Sequence, residues 1–298
     1  MSSCASCGKG EDESIGLKKC GACKMVNYGS RDCQKAHRLQ HKKECRKRAA
    51  ELHDEALFKQ PPQLEDCPIC FLRLPTLDSG RRYQACCGKI ICTGCIFAVD
   101  EMVGVTKCPF CRTTLPHSDE EMMRRENKRL QVDDAQAIHN RAFYYYDGIC
   151  GLPRDYTKSL ELYHRAGELG NFHSYYNVGI AYFNGKGVAR DAKKAIHYYE
   201  LAAIGGNVHA RFNLGCGDAE AGNMERALKH FMIAAESGDN DSLRNIKQLY
   251  MNGHATKDDY AKALRSYQSY LDDIKSDDRD KAAAFKDDYK YFDLNTAL

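Results

Sequence analysis

An excess of charge of either sign, a long apolar run and a leader-like N-terminus are all missing from this 298-residue sequence. Lysine and arginine number 44 against 41 aspartates and glutamates, a formal net charge of +3. A balance that small argues against a chain that binds nucleic acid over its whole surface, although a local basic face stays open. No stretch approaches the roughly 18 to 20 apolar residues of a membrane span, so no membrane partner is expected. The N-terminus, MSSCASCGKG, has no apolar h-region of a secretory signal. The expectation is a soluble chain in a reducing compartment, cytoplasmic and/or nuclear. Hydrophobic residues make up 43% and charged residues 29%, which excludes wholesale disorder. The length suggests about two domains or a few small ones.

Cysteine is nearly absent from the last two thirds of the chain, where only Cys150 and Cys216 occur; the other 14 of 16 lie between Cys4 and Cys111. Most stand in C-x2-C pairs, the spacing with which two thiolates grip one tetrahedral zinc ion. A secreted disulfide scaffold is the competing reading, and it needs the signal peptide that is missing. Zn2+ is the expected cofactor.

Six segments can be drawn. Residues 1–50 hold the first cysteine set and end in the basic run HKKECRKR. Residues 51–66 form a short helix and a linker stopped by Pro61 and Pro62. Residues 67–116 hold the second cysteine set, and 117–133 a connecting helix opened by Ser118 and an acidic first turn. Residues 134–274 repeat: Gly170-Asn171, Gly206-Asn207 and Gly238-Asp239 recur, as do KSLELYHRAGELG, KAIHYYELAAIGG, RALKHFMIAAESG and KALRSYQSYLDDI. The units are 134–170, 171–206, 207–238 and 239–274, each two short helices that must stack to bury their apolar stripes. The third unit lacks about four residues between its helices and should turn tightly there. Residues 275–298 are a polar C-terminal tail or a capping helix. The tyrosines and phenylalanines of the repeats read as packing residues, since helical spacing puts them on the packed face, and the repeat histidines, which have no cysteine partners, read as structural or surface residues and not as ligands. The fold class is small zinc-stabilised modules followed by an all-α helix-pair solenoid. The LG-x-x-Y-x-x-G-x-G-V-like and KA-x-x-x-Y-x-x-AA-x-x-G patterns resemble Sel1-like repeats.

The second set runs Cys67-x2-Cys70, Cys86-Cys87, Cys92-x2-Cys95 and Cys108-x2-Cys111. With its contexts CPIC, ICTGC and CPFCR it resembles a RING finger. The resemblance implies a cross-brace, in which Cys67, Cys70, Cys92 and Cys95 share one zinc while Cys86, Cys87, Cys108 and Cys111 share another. The family's usual histidine is here Lys89, whose ammonium has no lone pair to give; Cys86 restores the count. Arg81, Arg82 and Lys89 are expected to soften the negative charge of the thiolates. The family's surface for a ubiquitin-conjugating enzyme maps onto Ile69, Val99, Pro109 and Arg112.

The first set is Cys4-x2-Cys7, Cys20-x2-Cys23, Cys33 and His41-x3-Cys45. NYGSRDCQKAHRLQHKKEC resembles the helical half of a MYND finger, and His41 and Cys45 fall one turn apart on the same helix face. With Cys20 and Cys23 they make a Cys3His site. The other site keeps only Cys4, Cys7 and Cys33, because Gly29 stands where the family has a cysteine; it either binds zinc with an outside ligand or is empty. Arg38 replaces the family's tryptophan, which weakens the case for proline-rich peptide binding.

The order of a CCGK-type RING, a helix and Sel1-like repeats resembles a group of proteins abundant in diatoms and related algae. Two functions follow. One is an adaptor-type ubiquitin ligase without a covalent intermediate, partnered by a conjugating enzyme and a substrate or complex protein. The other is a non-catalytic interaction scaffold. The methyltransferase sometimes joined to a MYND finger is excluded, since everything after residue 117 reads as helical repeats.

Overall fold

The computed structural model describes residues 3–7, 9, 16–62, 65–103 and 107–292, so 293–298 of the expected C-terminal segment lie outside the described residues. The chain divides into two compact units, Met1–Lys59 and Gln60–Leu298.

In the first unit a two-residue hairpin, β1 (Lys18–Lys19) against β2 (Asn27–Tyr28), precedes the long helix α1 (Arg31–Leu57). Ser30 starts the helix by accepting the Cys33 N–H at 3.1 Å. Of the 27 residues of α1 only His41 and Leu57 are buried. A helix so polar has no apolar stripe to hold it, and its anchorage is the thiol cluster around His41. The basic run continues on its surface, where Arg48 pairs with Glu51 at 3.0 Å and Glu55 at 2.7 Å.

The second unit opens with the second cysteine set. It folds as a turn at Cys67–Cys70, a hairpin of β3 (Arg81–Gln84) and β4 (Lys89–Cys92), helix α2 (Thr93–Val103) and a turn at Cys108–Cys111. Leu74 and Ile91 form its small core with the thiols. Helix α3 (Asp119–Leu130) follows, capped by Ser118, with Asp119, Glu120 and Glu121 in its first turn and Lys128 and Arg129 in its last. That charge order complements the helix dipole.

Four antiparallel helix pairs then stack: α4 (Ala135–Asp147) with α5 (Tyr156–Glu168), α6 (Phe172–Asn184) with α7 (Ala192–Ile204), α8 (Val208–Glu220) with α9 (Met224–Glu236), and α10 (Asn240–Met251) with α11 (Lys257–Ile274). The recurring Gly-Asn pairs have a physical reason. Gly170, Gly206 and Gly238 take φ of +93°, +92° and +90°, a left-handed turn that glycine adopts without strain. The next residue, Asn171, Asn207 or Asp239, caps the following helix with its side-chain oxygen. The asparagines also reach back one repeat: Asn171 Nδ2 donates to Gln136 Oε1 at 3.0 Å, and Asn207 Nδ2 to His173 Nδ1 at 2.9 Å. Between α8 and α9 only residues 221–223 remain, against 185–191 in the preceding pair. The aromatics fill the seams, with Tyr182 stacked on Tyr198 at 5.5 Å and Phe212 tilted on Phe231 at 5.9 Å.

The chain does not end at the last repeat. Helix α12 (Asp277–Phe285) and the turn Asp287–Tyr289 return to the cysteine module and pack against α2. No described helix is long and apolar enough to cross a membrane.

Candidate metal centre

Among the described residues four groups of side chains gather, each with ligand atoms within 4.8 Å of one another: Cys20, Cys23, His41 and Cys45; Cys67, Cys70, Cys92 and Cys95; Cys86, Cys87, Cys108 and Cys111; and Cys4, Cys7 and Cys33. The two sets in the second unit interleave along the chain, which is a cross-brace. All 16 cysteines are free. The sulfur separations are 3.9 Å for Cys67–Cys95, 3.8 Å for Cys70–Cys92, 4.0 Å for Cys87–Cys108 and 3.4 Å for Cys86–Cys111. Zinc–sulfur bonds of about 2.3 Å in a tetrahedron put sulfurs about 3.8 Å apart, whereas a disulfide needs about 2.05 Å. The donor sets therefore fit zinc. In the first unit Cys20 and Cys45 lie 3.7 Å apart, and His41 presents Nε2 to Cys23 Sγ at 3.1 Å.

Three of the C-x2-C turns are built alike. The residue after the second cysteine donates its N–H to the carbonyl of the first: Lys24 to Cys20 at 3.0 Å, Phe71 to Cys67 at 2.9 Å, Arg112 to Cys108 at 3.0 Å. Lys24, Phe71 and Arg112 have φ of 57°, 58° and 63°. Each accepts a left-handed conformation unfavourable to a side chain so that both thiols of its pair face one point.

Without a cation, four close thiols cannot all ionise. Hydrogen bonds from Cys70, Cys92 and Cys95 drive the Cys67 thiol far down, and their counterparts push Cys95 far up. Burial pushes Cys86 up and raises Cys87 to about 11, while Cys111, hydrogen-bonded to Thr113, falls to about 6. A dication resolves this conflict by displacing the remaining protons.

The charge that offsets the Cys67, Cys70, Cys92 and Cys95 set does not come from the expected residues. Arg81 pairs with Asp78 at 2.8 Å, Arg82 donates to the Asp288 carbonyl at 2.8 Å, and Lys89 is exposed. The work falls to Arg279 on α12, fully buried with Nη2 3.8 Å from Cys70 Sγ. Sequence reasoning missed it, since an arginine in an aspartate-rich segment signals only surface. Near the Cys86, Cys87, Cys108 and Cys111 set, Gly88 (φ +72°) leaves the space that the Arg129 guanidinium fills; that guanidinium also binds Asp134.

The expected docking residues are placed as follows. Ile69 and Pro109 are half-buried in the two turns, Val99 is half-buried on α2, and Arg112 is exposed. Phe71 and Phe110 beside them are exposed by 76% and 44%, two large apolar groups that the sequence reading did not single out. At 100° per residue, Val99 lies about 160° around α2 from Phe97. Phe97 meets Phe285 at 5.2 Å, the Thr93 hydroxyl donates to the Tyr289 carbonyl at 3.3 Å, and Gly94 abuts Arg279. The C-terminal segment thus takes one side of α2 and Val99 is on the other. The repeat histidines form no described metal cluster; His173 accepts from Asn207, and His230 is buried 3.5 Å from Asp218.

Comparison with known proteins adds three findings. Residues 4–45 match the family model of the MYND finger, and residues 135–171, 173–207 and 208–239 match that of the Sel1 repeat. Over 52 residues, 17% of the chain, the sequence is 46% identical to E3 ubiquitin-protein ligase DA2 of Arabidopsis thaliana and 44% identical to E3 ubiquitin-protein ligase GW2 of Oryza sativa. It spans only 12% and 11% of those proteins. Among solved structures, a Sel1 repeat protein from Oxalobacter formigenes is similar at 23% identity, covering 60% of this chain and 70% of that one with a TM-score of 0.46. A protective antigen of uropathogenic Escherichia coli with an SLR fold is similar at 22% identity, covering 64% and 40% with a TM-score of 0.45. The chain thus combines zinc-binding cysteine modules, one of them a MYND finger, with Sel1 repeats.

Proposed function

We propose that this chain is a RING-type ubiquitin-ligase adaptor. Its cross-braced module would dock a ubiquitin-conjugating enzyme while the Sel1 repeats and the MYND finger hold a substrate or complex protein. The zinc ligands would be the four gathered sets, with the Cys4, Cys7 and Cys33 set the incomplete one. Each closed zinc has four protein ligands and no open position, so its role is to shape the surface and it supplies no Lewis acid. Catalysis would be proximity and orientation, thioester and acceptor lysine being held together with no intermediate on this chain.

The observation that carries this reading is the division of α2. The C-terminal segment covers Thr93, Gly94 and Phe97 and leaves Val99 on the other side of α2, half-buried as Ile69 and Pro109 are, while Phe71, Phe110 and Arg112 of the two turns are exposed. Exposed phenylalanines and an exposed arginine suit a protein partner, since interfaces are enriched in aromatic residues and arginine. The names of the short-range relatives point the same way.

The test is autoubiquitination by purified full-length protein over a panel of conjugating enzymes, with zinc quantified on the same sample. Transfer that disappears in Ile69→Ala and Arg112→Ala at normal zinc content supports the reading. Transfer that survives both substitutions, or its absence from the fully metallated wild type with every conjugating enzyme, leaves the non-catalytic scaffold.

A further inference from the structure

One of the four ligand sets is one donor short. Cys4, Cys7 and Cys33 bring three sulfurs within 4.8 Å of one another, and among the described residues no further cysteine, histidine or carboxylate joins them. The three are nonetheless set in place. Cys4 forms a parallel bridge with Asn27, and its N–H donates to the Lys9 carbonyl at 2.8 Å. Cys33 is the third residue of α1, held by the Ser30 cap, where the helix dipole favours a thiolate. Cys7 Sγ is 3.8 Å from Cys33 Sγ, the edge of a zinc–thiolate tetrahedron of about 2.3 Å bonds.

The missing corner lies beside Gly29. Its N–H hydrogen-bonds the Cys4 thiol, so the backbone at position 29 adjoins the set, but it carries no side chain to complete it. His37, one turn along α1 from Cys33, is engaged elsewhere: Nδ1 lies 3.1 Å from the Tyr28 hydroxyl and the ring stacks on His41 at 5.5 Å. Cys7 is exposed and Cys33 half-buried, so the set opens to solvent, while Cys20, Cys23 and His41 in the neighbouring set are buried.

We propose that Cys4, Cys7 and Cys33 form an open three-thiolate zinc site, whose fourth position holds water and exchanges with thiolate or imidazole donors from outside the chain. The other three sets are closed and structural. Binding releases up to three thiol protons and leaves a complex of one net negative charge, against two for a four-thiolate site. The zinc held there is the labile one. A cysteine or histidine presented by another protein, or a small thiol, would complete its shell. This inference rests on the zinc reading of the first unit and does not depend on ubiquitin transfer.

The test uses full-length zinc-loaded protein, with ions counted by native mass spectrometry and release to 4-(2-pyridylazo)resorcinol followed by absorbance. Of the four sites, one should empty roughly tenfold or more faster than the rest. Gly29→Cys supplies the missing thiol and should merge that fast phase into the slow one. Cys33→Ser should abolish the fast phase and leave three bound ions. Cobalt-loaded wild type should shift its visible ligand-field bands when imidazole is added, whereas Gly29→Cys should not respond. Four ions released in a single slow phase overturn the proposal. So does saturation at three ions in excess zinc, or cobalt bands indifferent to imidazole in the wild type. The Cys33→Ser and imidazole measurements stand even where Gly29→Cys fails to fold.

Discussion

The guanidinium of Arg279 stands 3.8 Å from the sulfur of Cys70, across 209 positions of the chain. It also donates to the carbonyls of Arg73 at 2.9 Å, Ile274 at 2.6 Å and Leu72 at 3.5 Å. Burial alone would lower its pKa, but the thiols of Cys92, Cys70 and Cys67 together raise it. One side chain therefore offsets thiolate charge and ties α12 to the 67–116 cysteine module. Around it the Ser79 hydroxyl donates to the Lys290 carbonyl at 2.6 Å, and the Tyr270 hydroxyl accepts the Thr76 N–H at 2.8 Å.

Arg279→Met should therefore cost roughly 2–4 kcal/mol, because three carbonyls lose their donor and the thiolates lose their counter-charge. Hydrogen exchange should show α12 and the 67–116 module loosening together while α4–α9 keep their protection. Equal loosening of the whole chain, or none, would contradict the latch.

Two glycines of the repeats give a matched pair. A Cβ on Gly179 would meet the Tyr199 ring at 2.5 Å, whereas one on Gly217 meets nothing within 4 Å. Gly179→Ala should destabilise by about 1–3 kcal/mol through overpacking. Gly217→Ala, on an exposed helical position, should stabilise by about 0.5–1 kcal/mol. Urea titrations followed by helical circular dichroism read both signs.

Acid should loosen the repeats. Burial lowers the pKa of His139 and His173 to about 4, and Asn207 donates to His173 Nδ1, a bond that needs the neutral ring. The unfolded chain protonates near pH 6.5 and the folded one only near 4. The unfolded state thus binds more protons in that window, and stability falls as pH drops through it, by roughly 2–3 kcal/mol for each ring. His173→Gln should flatten the slope of stability against pH between 6.5 and 4, measured as exchange protection in α6–α8. An unchanged slope would remove His173 from the account.

Under the proposed function Arg112 would have two roles that one substitution separates. Its left-handed φ of 63° costs a side chain about 1 kcal/mol that glycine does not spend. Arg112→Gly should raise the thermal stability of the metallated module slightly while lowering ubiquitin transfer. Phe71→Gly, with φ 58°, should show the same direction of stability change. A loss of both stability and zinc in Arg112→Gly would assign the residue to the metal turn alone.

Spacing carries much of what was legible beforehand. C-x2-C places two thiols of one short turn at one point whatever surrounds it, and His41 and Cys45 share a helix face by the helical period alone. The Gly-Asn pairs signal repeats because a left-handed turn followed by a cap is a local requirement. The left-handed conformations of Lys24, Phe71 and Arg112 were not legible, since glycine is the residue that announces such a turn. Nor was the source of counter-charge: Arg81 and Arg82 are near the thiols in sequence, but β3 directs them to Asp78 and Asp288.

By itself the sequence determined which side chains could be ligands and where the helix pairs repeat, because both depend on contacts within a turn or between adjacent repeats. Only the tertiary structure decided that SDDRDKAAAF, polar over its first six residues, buries Arg279 against Cys70, and which side of α2 is covered and which keeps Val99. Those facts depend on groups some 200 residues apart meeting in space, and no local period or propensity encodes the return of a chain end to its distant partner.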